Sequence, residues 1–243
     1  MFFPCFQRAG LLTMSMSSTD KGLLTPQNCA IVFLEHQPQM LSALSGPERK
    51  DLLEGVRVLA RAARIFGVPV ILSVLEFKEF AGTLAPQLGD QFRDQAPLKR
   101  TSMNAWDDPR FVAAIKQTGR RNFLLAALWS EAFLVFPALQ MLEEGYGIYV
   151  VKDASSGTNR AAHEMALRRV EQAGGVSLSA LQVLLEFQRD WAKSDHYEEV
   201  MAIVRPCCRM NCQEENLLPE AAVSLSRKPH PTQRRARRTE FNQ

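Results

Sequence analysis

Four apolar runs recur along the chain, CAIVFLEHQ (29–37), VPVILSVLE (68–76), NFLLAAL (122–128) and YGIYVVKD (146–153), with helical segments between them. Their apolar residues are continuous rather than alternating, the pattern of strands covered on both faces; a strand with one wet face alternates with period two. Between the first two runs, residues 48–66 carry Leu52, Leu53, Val56, Leu59, Ala60, Ala63 and Phe66 at helical spacing. Gly67 stands where such a helix closes in the left-handed conformation. Residues 107–120 open with Asp107 and Asp108 before Pro109, an N-cap followed by proline at the first helical position. Further helices are expected over 131–144, 159–173, 180–193 and 196–204, with a short fifth strand in GGVSLSA. Residues 80–106, punctuated by Gly and Pro, read as a long irregular loop. This alternation predicts an α/β fold, a three-layer α/β/α sandwich around a parallel sheet. Right-handed crossovers then place every strand-to-helix turn on one sheet edge.

Composition narrows the class. With 243 residues, 46% hydrophobic and 23% charged, the chain has the mix of a soluble domain whose core needs neither disulfides nor a metal. From Arg205 onward it holds 8 of its 29 basic and 4 of its 26 acidic residues, leaving 21 and 22 in residues 1–204, a net of −1. The +3 of the whole therefore sits in the tail, and nothing in the body asks for nucleic acid. No apolar run reaches the roughly 18 residues of a membrane span, and the first residues lack the pattern of a secretory signal. The five cysteines, Cys5, Cys29, Cys207, Cys208 and Cys212, are odd in number and cluster at the end, as expected of reduced thiols in a cytoplasmic protein. The CCRMNC stretch lacks paired zinc-knuckle spacing, and the one histidine after it is His230, so no metal and no cofactor is expected. Three segments are expected: a flexible leader over 1–22, with Met14 and Met16 as alternative starts, a folded domain over 23–204, and a disordered basic tail over 205–243.

The carboxyl edge of a parallel sheet is where reacting groups gather. Glu35, His36 and Gln37 follow the first strand, and Glu76 and Lys78 the second. Lys99 and Arg100 lie in the long loop ahead of Asn104 and Trp106; Trp129, Ser130 and Glu131 follow the third strand, and Asp153 and Ser155 the fourth. A carboxylate, a fixed cation and a helix start make a reasonable acyl-transfer site, with the cation and amides holding an oxygen and the carboxylate taking a proton. Spacing alone favours the plainer reading, that these are ordinary loop-end polar residues.

The stretches LLTPQNCAIVFLEHQPQM (23–40), RTSMNAWDDPRFVAAIKQTGR (100–120), LWSEAFLVFPALQMLEEGYGIYVVKDAS (128–155), AAHEMALRRVEQAGG (161–175) and LLEFQRDWA (184–192) together resemble the isochorismatase-like cysteine hydrolases. Within them the chain looks closest to a bacterial branch of uncharacterised hydrolases. The resemblance implies a Rossmann-like parallel sheet, hydrolysis of C–N or C–O bonds through a covalent thioester-type intermediate, and homo-oligomers packed through helix faces. It also implies a triad of Asp, Lys or Arg, and Cys. Carried over position by position, the acid falls on Glu35, one methylene longer than Asp, and the cation on Arg100 beside Lys99. The nucleophile falls on Phe133, in W-S-E-A-F where the branch has W-T-E-V-C. Lys99, Asn104, Trp106, Trp129, Ser130 and Glu131 are the expected binding residues, and a cis peptide is expected between Leu128 and Trp129.

A phenyl ring has neither a charge nor a lone pair to attack with. Cys29 opens the first strand, at the opposite edge, and Ser130 has no histidine base in an obvious place, so capping the helix is its expected role. The chain therefore reads as a catalytically impaired member, a pseudoenzyme. The alternatives are an active hydrolase of a small amide- or carbamate-like substrate using another nucleophile or water, and a non-catalytic subunit that binds a small molecule or co-assembles with a paralogue. The departure from the family after Val204 also fits a change of reading frame there.

Overall fold

The computed structural model describes residues 22–78, 80–193 and 195–207. Most of the leader and tail, with Cys5, Met14, Met16, Cys208, Cys212 and His230, lie outside the described residues. Strands β1 (Cys29–Leu34), β2 (Val70–Phe77), β3 (Phe80–Ala81), β4 (Leu98–Arg100), β5 (Asn122–Ala127), β6 (Gly147–Val151) and β7 (Val176–Leu178) form one sheet. The helices are α1 (Pro38–Leu41), α2 (Gly46–Phe66), α3 (Pro86–Gly89), α4 (Pro109–Gln117), α5 (Val135–Glu143), α6 (Arg160–Gln172), α7 (Ala180–Gln188) and α8 (Tyr197–Cys207). The chain divides into two units, Met1–Ile203 and Val204–Gln243; of the second, the described part is the last turn of α8. No helix among the described residues is long and apolar enough to cross a membrane.

Six strands run parallel in the order β4-β2-β1-β5-β6-β7, with β3 antiparallel on β2. Continuous apolar strands meet the demand of two covered faces. Ala30, Val32 and Leu34 of β1 pack with Phe123 and Leu125 of β5 against Phe111 and Ile115 of α4, Met141 of α5 and Val170 of α6. On the other side α2 packs along α7. Two ends of α2 follow from local chemistry: the Glu48 carboxylate accepts the Ser45 N–H at 3.2 Å, and Gly67 closes the helix at φ 63°. Asp108 caps α4 by accepting the Arg110 N–H at 2.9 Å, with Pro109 next in line.

From β1 the chain crosses to β2 on one side, and after β4 it returns to β5 on the other. The topological switch point thus lies between β1 and β5, where open α/β sheets form a crevice. Leu34 stands level with Ala127, so Glu35 and Leu128 leave the sheet side by side, and the Leu128 N–H donates to the Leu34 carbonyl at 3.1 Å.

Two expectations change here. The segment 80–106 contains β3, α3, β4 and a 3-10 turn at Ala105–Asp107 rather than a structureless loop. β4 has a single apolar residue, Leu98, too little for a periodic signal, and is fixed by its register with Ser73–Leu75 of β2. The expected helix over 131–144 is in fact a π turn, Ser130–Leu134, running into α5 from Val135.

Candidate active site

Glu35, Arg100 and Phe133 come from three separate elements and meet at the switch point. The Arg100 guanidinium donates to the Glu35 carboxylate at 2.5 Å, and its carbon lies 5.7 Å from the centre of the Phe133 ring. The Glu35 carboxylate also accepts the Leu75 N–H at 2.6 Å, which ties it to β2. Arg100 is further engaged: its Nε donates to Ser73 Oγ at 3.1 Å, and Nη1 donates to the Ser102 carbonyl and to the Met103 carbonyl, the latter at 3.2 Å. Phe133 stacks on Trp129 with centroids 6.0 Å apart and planes 28° apart. The three side chains are shut away from solvent, with Glu35 0%, Phe133 1% and Arg100 3% exposed. Burial pushes the Glu35 carboxyl up to about 7 against the pull of Arg100 and the Leu75 amide. Burial likewise lowers the Arg100 guanidinium, with Glu35 opposing the shift.

Backbone strain marks the same place. Glu35 sits at φ 62° and Trp129 at φ 51°, both left-handed and neither glycine. The expected cis bond is absent: among the described residues no peptide is cis, and the chain turns at Leu128–Trp129 through the left-handed Trp129 instead. Three amides of the turn are also committed. Ser130 N donates to the Ser156 carbonyl at 3.0 Å, and Ala132 N and Phe133 N donate to the Trp129 carbonyl at 2.9 and 3.1 Å. They are therefore not free to hold a substrate oxygen.

The remaining expected residues are spread out. Lys99 pairs with Glu76 at 2.7 Å and lines, with Arg100, Asp107, Asp108 and Arg110, a cleft of about 620 Å³ beside the buried pair. Asn104 caps the 3-10 turn, accepting the Trp106 N–H at 3.1 Å and donating to Asp107 and Gln140. Trp106 is buried, and its Nε1 donates to Glu144 at 2.8 Å. Glu131 accepts from the Thr158 backbone N–H at 3.0 Å and the Thr158 hydroxyl at 2.5 Å. Ser155, just past the 3-10 turn Lys152–Ala154 that follows β6, donates to the Val151 carbonyl and accepts the Ala127 N–H, stitching β6 to β5. Cys29 lies at the amino edge, its thiol pushed up to about 12 by burial.

Ser130 does not cap the turn; its side chain takes no backbone N–H. Its hydroxyl lies 2.7 Å from Nδ1 of His163, a residue on α6 that sequence reasoning passed over. His163 precedes Ala166, Leu167 and Val170 by three, four and seven residues, the buried face of α6, and that spacing could have placed it toward the turn. Burial first, and Lys152 second, lower the His163 imidazole, with Glu131 and Glu164 opposing. His36 is buried too; its Nε2 donates to the Ala154 carbonyl at 2.9 Å, and burial pulls it down to about 4.

The isochorismatase domain model matches residues 29–182. The chain is 34% identical over 169 residues to the probable hydrolase YcaC of Escherichia coli (strain K12), covering 69% of this chain and 81% of that protein. The solved structure of E. coli YcaC, described as an octameric hydrolase of unknown specificity, superposes with a TM-score of 0.68 at 30% identity, covering 78% of this chain and 98% of that one. YcaC from Pseudomonas aeruginosa, solved with hexane-2,5-diol and covalent acrylamide, gives 0.69 at 31% identity, covering 76% and 93%.

Proposed function

We propose, starting from the fact that this chain belongs to the isochorismatase family, that it is a hydrolase homologue which has lost the family's covalent chemistry. One observation carries this reading. The Phe133 ring, at the position the resemblance assigns to the nucleophile, lies over the buried Glu35–Arg100 pair and is itself 1% exposed. The thiol route needs a thiolate, activated by a nearby cation, and an approach path for a carbonyl carbon. Phe133 supplies no electron pair, and its ring occupies the space a substrate carbonyl needs. Glu35 and Arg100 then serve as a buried structural pair rather than as base and electrostatic anchor.

The test uses thiol labelling. P. aeruginosa YcaC was solved with covalent acrylamide, which makes acrylamide a suitable probe. The full chain carrying Phe133→Cys and Glu35→Asp is expected to form an acrylamide adduct at position 133, located by peptide mapping, while the unaltered chain turns over none of a panel of amides, carbamates and vinyl ethers. Robust turnover by the unaltered chain would sink the proposal.

A second reading has its own observation, the Ser130 hydroxyl 2.7 Å from His163 Nδ1. A serine beside an imidazole is the start of a nucleophile–base pair, and it would make the chain an active hydrolase by another route. Ser130 is 0% exposed, so that route requires the turn to open. A fluorophosphonate adduct on Ser130, lost in His163→Gln, would favour this reading over the first. Self-association is part of the proposal as well: the E. coli relative is described as an octamer, and light scattering on the purified chain is expected to show a homo-oligomer.

A further inference from the structure

A second cavity, of about 400 Å³, opens at the carboxyl ends of β6 and β7 and is lined by Lys152, Asp153, His163, Ser177, Ser179 and Gln182. It shares no lining residue with the Glu35–Arg100–Phe133 cluster. Several of its polar groups are already used. Ser177 Oγ donates to Glu171, Ser179 Oγ accepts the Gln182 N–H, and the Gln182 amide donates to Glu186. Three are not. Lys152 is exposed and has no ion-pair partner among the described residues. His163 is half-buried; Nδ1 is held by Ser130, while Nε2 makes no hydrogen bond among the described residues. With the serine hydroxyl donating to Nδ1, the neutral ring carries its proton on Nε2, which becomes a donor. Asp153 Oδ1 accepts the Ala180 N–H at 2.8 Å, and Oδ2 takes no hydrogen bond from any other described residue.

We propose that this cavity binds a small oxyanion that retains one O–H, of the hydrogen-phosphate kind. Its charged oxygens are taken by Lys152 Nζ and His163 Nε2–H, and its own O–H is donated to Asp153 Oδ2. One cation, one neutral N–H donor and one acceptor select this chemistry. A fully deprotonated anion would set a lone pair against the Asp153 carboxylate, whereas an O–H turns that contact into a charge-assisted hydrogen bond. The volume suits a small molecule. The groups that act on the His163 charge are Lys152 after β6, Glu131 on the π turn and Glu164 on α6, and Asp153 lines the same cavity. Lys152 disfavours the imidazolium and the glutamates favour it, so a bound anion adds to the glutamates' side.

The test is an NMR titration of the His163 imidazole in the full chain, with His36 and His196 as internal references. Inorganic phosphate at constant ionic strength is expected to raise the His163 midpoint saturably, by about half a unit or more. Sulfate, of the same shape but with no O–H at neutral pH, should need about tenfold higher concentration. Lys152→Met, a change at an exposed side chain, should remove the phosphate shift while leaving the circular dichroism spectrum unchanged. Three results overturn the proposal: no saturable shift with phosphate, an equal shift in Lys152→Met, or sulfate binding as tightly as phosphate.

Discussion

The guanidinium carbon of Arg100 lies 5.7 Å from the centre of the Phe133 ring, so the cation at the switch point is covered by hydrocarbon on one side and held by Glu35 on another. A cation against an aromatic face is a favourable contact, worth more when both are out of water. The arrangement makes Phe133 part of the core.

Truncating that ring should therefore be costly. Phe133→Ala is expected to destabilise the fold by about 3–5 kcal/mol, the range for buried aromatics that leave a cavity. Urea unfolding measures it. A cost below about 1 kcal/mol would mean the ring is not packed as described.

The Glu35–Arg100 pair should show strong coupling. Glu35→Gln alone leaves the buried Arg100 charge without its partner, at about 3–5 kcal/mol, and Arg100→Met alone leaves Glu35 to take up a proton at a smaller cost, whereas the double variant leaves neither group unpaired. The double variant is expected to be less destabilised than the sum of the singles. Additive losses in the double-mutant cycle would show that the two groups do not act as a unit.

Acid–base behaviour offers a sharper test. Glu35 is raised from 4.5 to about 7 in the folded chain, so its contribution to stability is full below 4.5 and lost as pH rises through 7. His36 is lowered from 6.5 to about 4, so its contribution is present above 6.5 and lost as pH falls through 4. Between 4.5 and 6.5 the two slopes oppose each other and tend to cancel. In that window Glu35→Gln should give a stability that rises with pH, and His36→Asn one that falls. Urea midpoints at about pH 5 and pH 6.5 decide it; matching slopes in the two variants would rule out this assignment.

Gly157 places the β6–α6 loop against the π turn. A Cβ there would stand 2.8 Å from Glu131 Oε2 and 2.8 Å from the His163 backbone nitrogen. Gly157→Ala should thus disturb both the Glu131–Thr158 contacts and the Ser130–His163 hydrogen bond, at a cost of about 1–3 kcal/mol. The readout that separates this from general loosening is the His163 imidazole resonance, which should move while that of His196 stays in place.

The sheet was legible because its strands are buried on both faces, and continuous apolar runs such as NFLLAAL have few other uses. The helix ends at Gly67 and Asp108 were legible because their chemistry is local. β4 was not: it has three residues with one apolar side chain, and only its pairing with β2 makes it a strand. The convergence of positions 35, 100 and 133 could be expected from the resemblance, but their closure from water could not, because it depends on how tightly the Phe133 ring packs. The trans turn at Trp129 was missed because the family expectation stood in for the local backbone. His163 was missed because a single histidine on a helix is informative only once the helix has a neighbour, here the turn that carries Ser130.

Glu35 and Trp129, the two left-handed residues at the ends of β1 and β5, stand on either lip of the switch point. Each such conformation holds about 1–3 kcal/mol that the surrounding fold must offset. The crevice is consequently preorganised by its backbone, independently of which side chains line it. A reactive group introduced at position 35 or 133 would find the main chain already bent to present it, and the conformational work that a new active site ordinarily demands would already be done.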